Sequence, residues 1–109
     1  MSEKLLPSGK IRVEVDPQLL VLVPVYLQRR AKDVGLLTDL LTDQNFAAIQ
    51  SIGHKLRGHA GTYGFDQMSE IGTHLEAAAK ASDSKMIQTL TQMLSKYLAV
   101  LEIAREEAS

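Results

Sequence analysis

Residues 49–64, Ile49-Gln50-Ser51-Ile52-Gly53-His54-Lys55-Leu56-Arg57-Gly58-His59-Ala60-Gly61-Thr62-Tyr63-Gly64, decide the fold. Wound as a helix at about 100° per residue with His54 at zero, Ile49, Ile52, Leu56, His59 and Tyr63 fall between about 140° and 220°. This is one seam of large groups with the 3,4 spacing of a packed bundle helix. Arg57 at about −60°, Gln50 at about −40°, Gly61 at about −20° and Gly58 at about +40° share the other face with His54. A glycine inside a helix costs roughly 1 kcal/mol against alanine. Two of them on an outward face make sense where another surface has to come close to His54.

The flanking sequence supplies partners for that seam. Residues 1–10, with Pro7 and Gly9 as breakers, read as a flexible lead-in. Ile11-Arg12-Val13-Glu14-Val15 alternates apolar and polar and reads as a short extended segment. No second strand pattern offers it a partner, so it is expected along the bundle rather than in a sheet. Asp16-Pro17 is a cap followed by a proline at the first helical position, opening a short helix over 17–23. Pro24 either ends that helix or opens the next, which runs to about Leu41 with Leu27, Val34, Leu37 and Leu41 inward. Residues 42–45 form a loop. The His54 helix stops near Gly64, Asp66 caps its successor, and Met68, Ile71, Leu75 and Ala78 or Ala79 face the core. Ser82-Asp83-Ser84 gives a turn and a cap. The last helix carries Ile87, Leu90, Leu94, Tyr97, Leu101 and Ala104 at 3,4,3,4,3 spacing. The expected fold is all-α: an antiparallel up-down four-helix bundle with a short extra N-terminal capping helix, one domain over 11–109.

Composition narrows the function. The chain has 109 residues, 45% of them hydrophobic, which suits one globular domain with a single core. It has no cysteine, so disulfides, thiolate metal sites and thiol nucleophiles are excluded. Twelve basic against thirteen acidic residues leave a net charge of −1 and little electrostatic support for nucleic-acid binding. The longest apolar stretch, 19–27, is too short to span a bilayer, and the N-terminus has no signal-peptide core, so a cytoplasmic protein is expected. Glycine-rich nucleotide loops, P-loop lysine motifs and kinase signatures are missing, which argues against an autonomous ATP-using kinase.

Two readings of His54 stand side by side. One is a solvated surface histidine. In the other, the imidazole acts as a nucleophile, because a side chain with a reference pKa of about 6.5 carries a free lone pair at pH 7 without a helper base. Such a nitrogen can attack an acyl phosphate and form a phosphoramidate of similar transfer energy, which suits a reversible relay needing only positioning and charge compensation. Arg57, one turn on, can pair with phosphoryl oxygens or serve as an exposed solubilising residue. Lys55 lies about 100° round from His54 and is the weaker candidate. His59 falls on the apolar seam and is expected to be a partly buried structural histidine bonded to a neighbouring helix, not a second acceptor. His54, His59, His74 and Glu76 do not read as a metal site, since His54 and His59 occupy nearly opposite faces. Tyr26, Tyr63 and Tyr97 read as core or rim residues.

The string His54-Lys55-Leu56-Arg57-Gly58, followed by Ala60, Gly61 and Tyr63-Gly64-Phe65, resembles the phosphoacceptor motif of histidine-containing phosphotransfer (HPt) domains of bacterial two-component phosphorelays. Val13-Glu14-Val15-Asp16-Pro17, Leu27-Gln28-Arg29-Arg30 and the helix 71–79 are similar to free-standing members, so the resemblance covers about residues 11–104. The resemblance implies that His54 accepts and donates a phosphoryl group, and that Arg57 supports that group from a position usually held by lysine. It implies a docking face of Gln50, Lys55, Gly58 and Gly61. The implied partner is the receiver domain of a response regulator, whose aspartate exchanges the group and whose own Mg²⁺ serves the transfer. No cofactor then belongs to this chain. The resemblance also admits a hybrid sensor histidine kinase as partner, a monomeric state, and an alternative role as a phosphate-independent regulatory module that binds a receiver or kinase. The position of His59, usually small in the family, departs from the pattern.

Overall fold

The computed structural model describes the backbone of residues 2–5, 11–15 and 17–108, and the side chains of 15 and 17–101. Four helices form the bundle: α1 (Val23–Thr42), α2 (Phe46–Tyr63), α3 (Asp66–Lys80) and α4 (Ser84–Ala108). The connections 43–45, 64–65 and 81–83 are so short that successive helices must run antiparallel. Leu37, Ile49, Leu56, Met68, Leu75, Ile87 and Leu94, drawn from all four helices, are the fully buried centre of the core.

Local chemistry sets each boundary. Asn45 caps α2 by accepting the amide of Ala48 at 3.2 Å. Gly64, at φ 83°, ends it, and the Phe65 amide folds back onto the Ala60 carbonyl at 2.9 Å. That left-handed terminus is open to glycine without a Cβ penalty. Asp83 caps α4 through the Met86 amide at 3.1 Å. The stripes on α3 and α4 are buried as their spacing predicts, from Met68 to Ala79 and from Ile87 to Leu101; Ala104 lies outside the described side chains.

Three expectations change. The helix over 17–23 is a turn followed by one 3-10 turn, Leu20–Leu22, that runs straight into α1. Pro24 sits in the first turn of α1, where its missing N–H is no loss, so it opens the long helix. The expected cap Asp16 lies outside the described residues. Asp66 is the first residue of α3 rather than its cap, which is Phe65 and makes no side-chain capping bond. Ile11–Glu14 is extended, as its alternation predicts, but it does have a strand partner. It forms β2, antiparallel to β1 (Ser2–Leu5), with Ser2 opposite Glu14 and Leu5 opposite Ile11. Ser2-Glu3-Lys4-Leu5 lacks an alternating pattern, and this hid the pairing. Apart from β1, the lead-in 1–10 lies outside the described residues.

Aromatic side chains tie α1 to the end of α2. The Tyr26 and Tyr63 rings stack at 4.4 Å between centroids, and Phe65 lies 5.9 Å from Tyr26. The Arg30 guanidinium sits 4.8 Å over the Tyr26 ring and pairs with Asp33 at 2.8 Å. Burial pushes the Tyr26 phenol and the Asp33 carboxyl up, with the Arg30 cation opposing both. Tyr26→Ala is expected to cost about 3 kcal/mol or more, a fall in Tm of about 10 °C or more. Tyr26→Phe keeps the stack and loses the O–H contacts, to the Met68 sulfur at 3.9 Å and to Arg30, so it should melt much closer to wild type than Tyr26→Ala. Thermal unfolding of the two variants side by side checks this.

Candidate functional site

The site is built where α2 and α3 touch through their backbones. Gly53 and Gly72 face each other at the crossing. A Cβ on Gly53 would lie 2.7 Å from the Glu76 amide nitrogen and 2.8 Å from the Gly72 carbonyl oxygen. One on Gly72 would lie 2.5 Å from the Arg57 amide nitrogen. The Ser69 hydroxyl adds a strut by donating to the Arg57 carbonyl at 2.7 Å. With the helices this close, the residue after Gly53 and the residue one turn after Gly72 become neighbours. They are His54 and Glu76.

His54 stands out from α2 with 61% of its side chain exposed, and its Nδ1 lies 3.0 Å from Glu76 Oε2. Glu76 is only 13% exposed and so is held far more firmly than the ring it faces. Arg57, on the next turn, brings one guanidinium nitrogen to 3.3 Å from His54 Nδ1 and the other to 3.3 Å from Glu76 Oε1. Imidazole, guanidinium and carboxylate thus form one cluster at the surface. It offers a nucleophilic nitrogen, a cation with spare donors and one fixed anion. Among the described residues, no three His, Asp or Glu side chains gather in a way that could hold a metal ion.

The residues expected beside His54 are on the same side of α2. Lys55, Gly58 and Gly61 are exposed and Gln50 is half-buried. A Cβ on Gly58 would have nothing within 4 Å, and one on Gly61 would meet only the Ser69 hydroxyl at 3.6 Å. Among the described residues, then, nothing packs against Gly58, and only the Ser69 hydroxyl lies near Gly61. The glycines that the bundle itself uses are Gly53 and Gly72.

His59 corrects the expectation made for it. It is exposed, and among the described residues it makes no hydrogen bond to a neighbouring helix. The buried residues of α2 are Ile49, Gly53, Leu56 and Ala60, which lie between about 200° and 260° from His54. The inward face is turned by about 50° from the seam of large residues, because the closest contact is made by small ones. That turn carries His59 out to solvent and leaves Ile52 and Tyr63 half-buried. Glu76 is the residue that sequence reasoning missed as a neighbour of His54. The available signal was the pair of glycines, one on each helix, that marks a close crossing.

The fold and the cluster agree with what comparison finds. The sequence profile of the Hpt domain matches residues 21–100. The phosphorelay protein LuxU of Vibrio harveyi is 28% identical over 86 residues, covering 79% of this chain and 73% of that protein. No solved structure matches the chain. Among the described residues, no helix is long and apolar enough to cross a membrane. A helical bundle with an exposed histidine in mid-helix, matched by the family profile over most of its length, places the chain among the histidine phosphotransfer modules of phosphorelays: it belongs to the Hpt domain family.

Proposed function

We propose that His54 is the residue that carries the phosphoryl group, exchanging it with an aspartate on the receiver domain of a response regulator. The observation that carries this reading is the placement of His54. An imidazole stands well exposed on a rigid helix, next to a half-exposed guanidinium and below a glycine with open space above it. A ring nitrogen attacks the phosphorus of the aspartyl phosphate, and Arg57 supplies donors for the phosphoryl oxygens. The two bonds exchanged are of similar transfer energy, so the step runs both ways and the protein need only position the ring and compensate charge.

In this reading the receiver docks over Gln50, Lys55, Gly58 and Gly61, and its own Mg²⁺ serves the transfer, so this chain needs no cofactor. A hybrid sensor histidine kinase is the other expected partner. The protein works as a monomer in the cytoplasm and is loaded by others, with no kinase activity of its own. LuxU, described as a phosphorelay protein, supports a role of this kind.

The test is transfer from a phosphorylated receiver, followed by acid and alkali treatment of the labelled protein. Wild type should take up acid-labile, alkali-stable label. His54→Gln should take up none, and His59→Gln should be labelled as wild type. Label that survives His54→Gln would place the chemistry elsewhere. A receiver that binds but never transfers would leave a phosphate-independent docking module.

A further inference from the structure

We propose that Ser69 is a positioning residue for this transfer: its hydroxyl, bonded to the Arg57 carbonyl, fixes the turn of α2 from which the Arg57 guanidinium reaches the phosphoryl group. The inference rests on the reading of His54 as the carrier and of Arg57 as its support. One hydroxyl departs here from what its neighbours do. Thr62 on α2 and Thr73 on α3 each donate to the carbonyl four residues back, at 3.2 Å, the local bond that helical hydroxyls ordinarily make. Ser69 leaves its own helix instead. It donates across to the Arg57 carbonyl at 2.7 Å, a shorter bond than either.

The carbonyl that receives it is already satisfied. In mid-helix the Arg57 oxygen accepts the amide four residues on, that of Gly61. A carbonyl has a second lone pair, and on the outer side of a helix it tilts toward water. Here a side chain of α3 takes the place of water. Ser69 is half-buried, and Gly61 leaves it room, since a Cβ on Gly61 would stand 3.6 Å from the Ser69 hydroxyl oxygen. One turn along α3, Gly72 meets the other side of the same residue. A Cβ there would lie 2.5 Å from the Arg57 amide nitrogen and 3.1 Å from its Cα. The backbone of Arg57 is thus held against α3 on both sides of its Cα.

That hold matters because the rest of Arg57 is loose. Its side chain is 46% exposed, with guanidinium nitrogens 3.3 Å from Glu76 and 3.3 Å from the His54 ring. A tilt at the root of the side chain is carried out to a head several bonds away. A misplacement of about 1 Å at a reacting centre can cost about a hundredfold in rate. Without Ser69 the Arg57 peptide group would be free to tilt toward water, and the turn that carries both Arg57 and Gly58 would shift relative to His54.

A double-mutant cycle tests this. The rate of transfer from a saturating phosphorylated receiver is measured for wild type, Ser69→Ala, Arg57→Ala and the double variant, all below their melting temperatures. Ser69 bonds a main-chain oxygen that Arg57→Ala leaves in place, so any contribution of the bond to folding is the same in both backgrounds. A contribution that runs through the guanidinium is not. Ser69→Ala is expected to slow transfer about fivefold in the wild-type background, the rate equivalent of one ordinary hydrogen bond. It should leave the Arg57→Ala rate unchanged. Equal losses in the two backgrounds would make Ser69 a structural strut only and overturn the inference, as would no loss in either. Arg57→Ala transferring at the wild-type rate would overturn the role of Arg57, and wild type without label on His54 would overturn the reading of the carrier itself.

Discussion

Gly72→Ala should lower Tm by about 8 °C or more, although alanine is the better helix former. The added Cβ would lie 2.5 Å from the Arg57 amide nitrogen, 2.8 Å from the Gly53 carbonyl oxygen and 3.1 Å from the Arg57 Cα. All three are backbone atoms in the middle of a helix, so none can rotate away. The helices must separate, and overpacking of this kind costs about 3 kcal/mol. The gain in helix propensity, roughly 1 kcal/mol, offsets part of it. At about 4 °C per kcal/mol for a chain of this size, the net loss of about 2 kcal/mol gives the expected shift. Separation also draws Glu76 away from His54, so transfer should weaken even below the melting range. Gly58→Ala is the control. Its Cβ meets nothing within 4 Å, and it should gain up to about 1 kcal/mol. Equal melting temperatures for Gly72→Ala and wild type would mean that the crossing is not the close contact described.

The same crossing explains what could and could not be read from the chain. The four helices were legible because their apolar residues recur at helical spacing and their ends carry Asn45, Gly64 and Asp83. The exposed side of α2 was legible from the same wheel, and His54, Lys55, Arg57, Gly58 and Gly61 all lie on it. The direction of its inward face was not. A hydrophobic seam is weighted by large residues, whereas helices approach closest where residues are smallest. Gly53 and Ala60 are buried at the contact while His59, among the larger groups of the seam, is pushed into solvent. Glu76 was hidden for a related reason. Its meeting with His54 spans 22 positions and depends on how closely two helices pack, a quantity absent from the periodicity of either. The hairpin escaped because Ser2-Glu3-Lys4-Leu5 does not alternate apolar and polar residues as its partner strand does.

The proposed docking face yields the second large effect. Gly58 lies about 40° round from His54 and one turn along, on the side that the proposed receiver would approach. Among the described residues nothing lies within 4 Å of a Cβ there, so Gly58→Leu should fold at least as well as wild type and melt at the same temperature or slightly higher. Its side chain would nevertheless stand beside the imidazole, where the receiver's aspartyl phosphate has to come within bonding range of a ring nitrogen. A misplacement of about 1 Å at a reacting pair can lower a rate by about a hundredfold. Transfer to and from the receiver is therefore expected to drop by about that factor or more, with the loss appearing in binding as well as rate. Gly35→Leu provides the comparison, because Gly35 on α1 is also exposed and its Cβ would also meet nothing within 4 Å. It changes the surface by the same amount and should leave transfer unaltered. Full transfer by Gly58→Leu would move the docking face off this side of α2. A loss shared equally by both leucine variants would point to added surface hydrophobicity instead of an obstructed approach to His54.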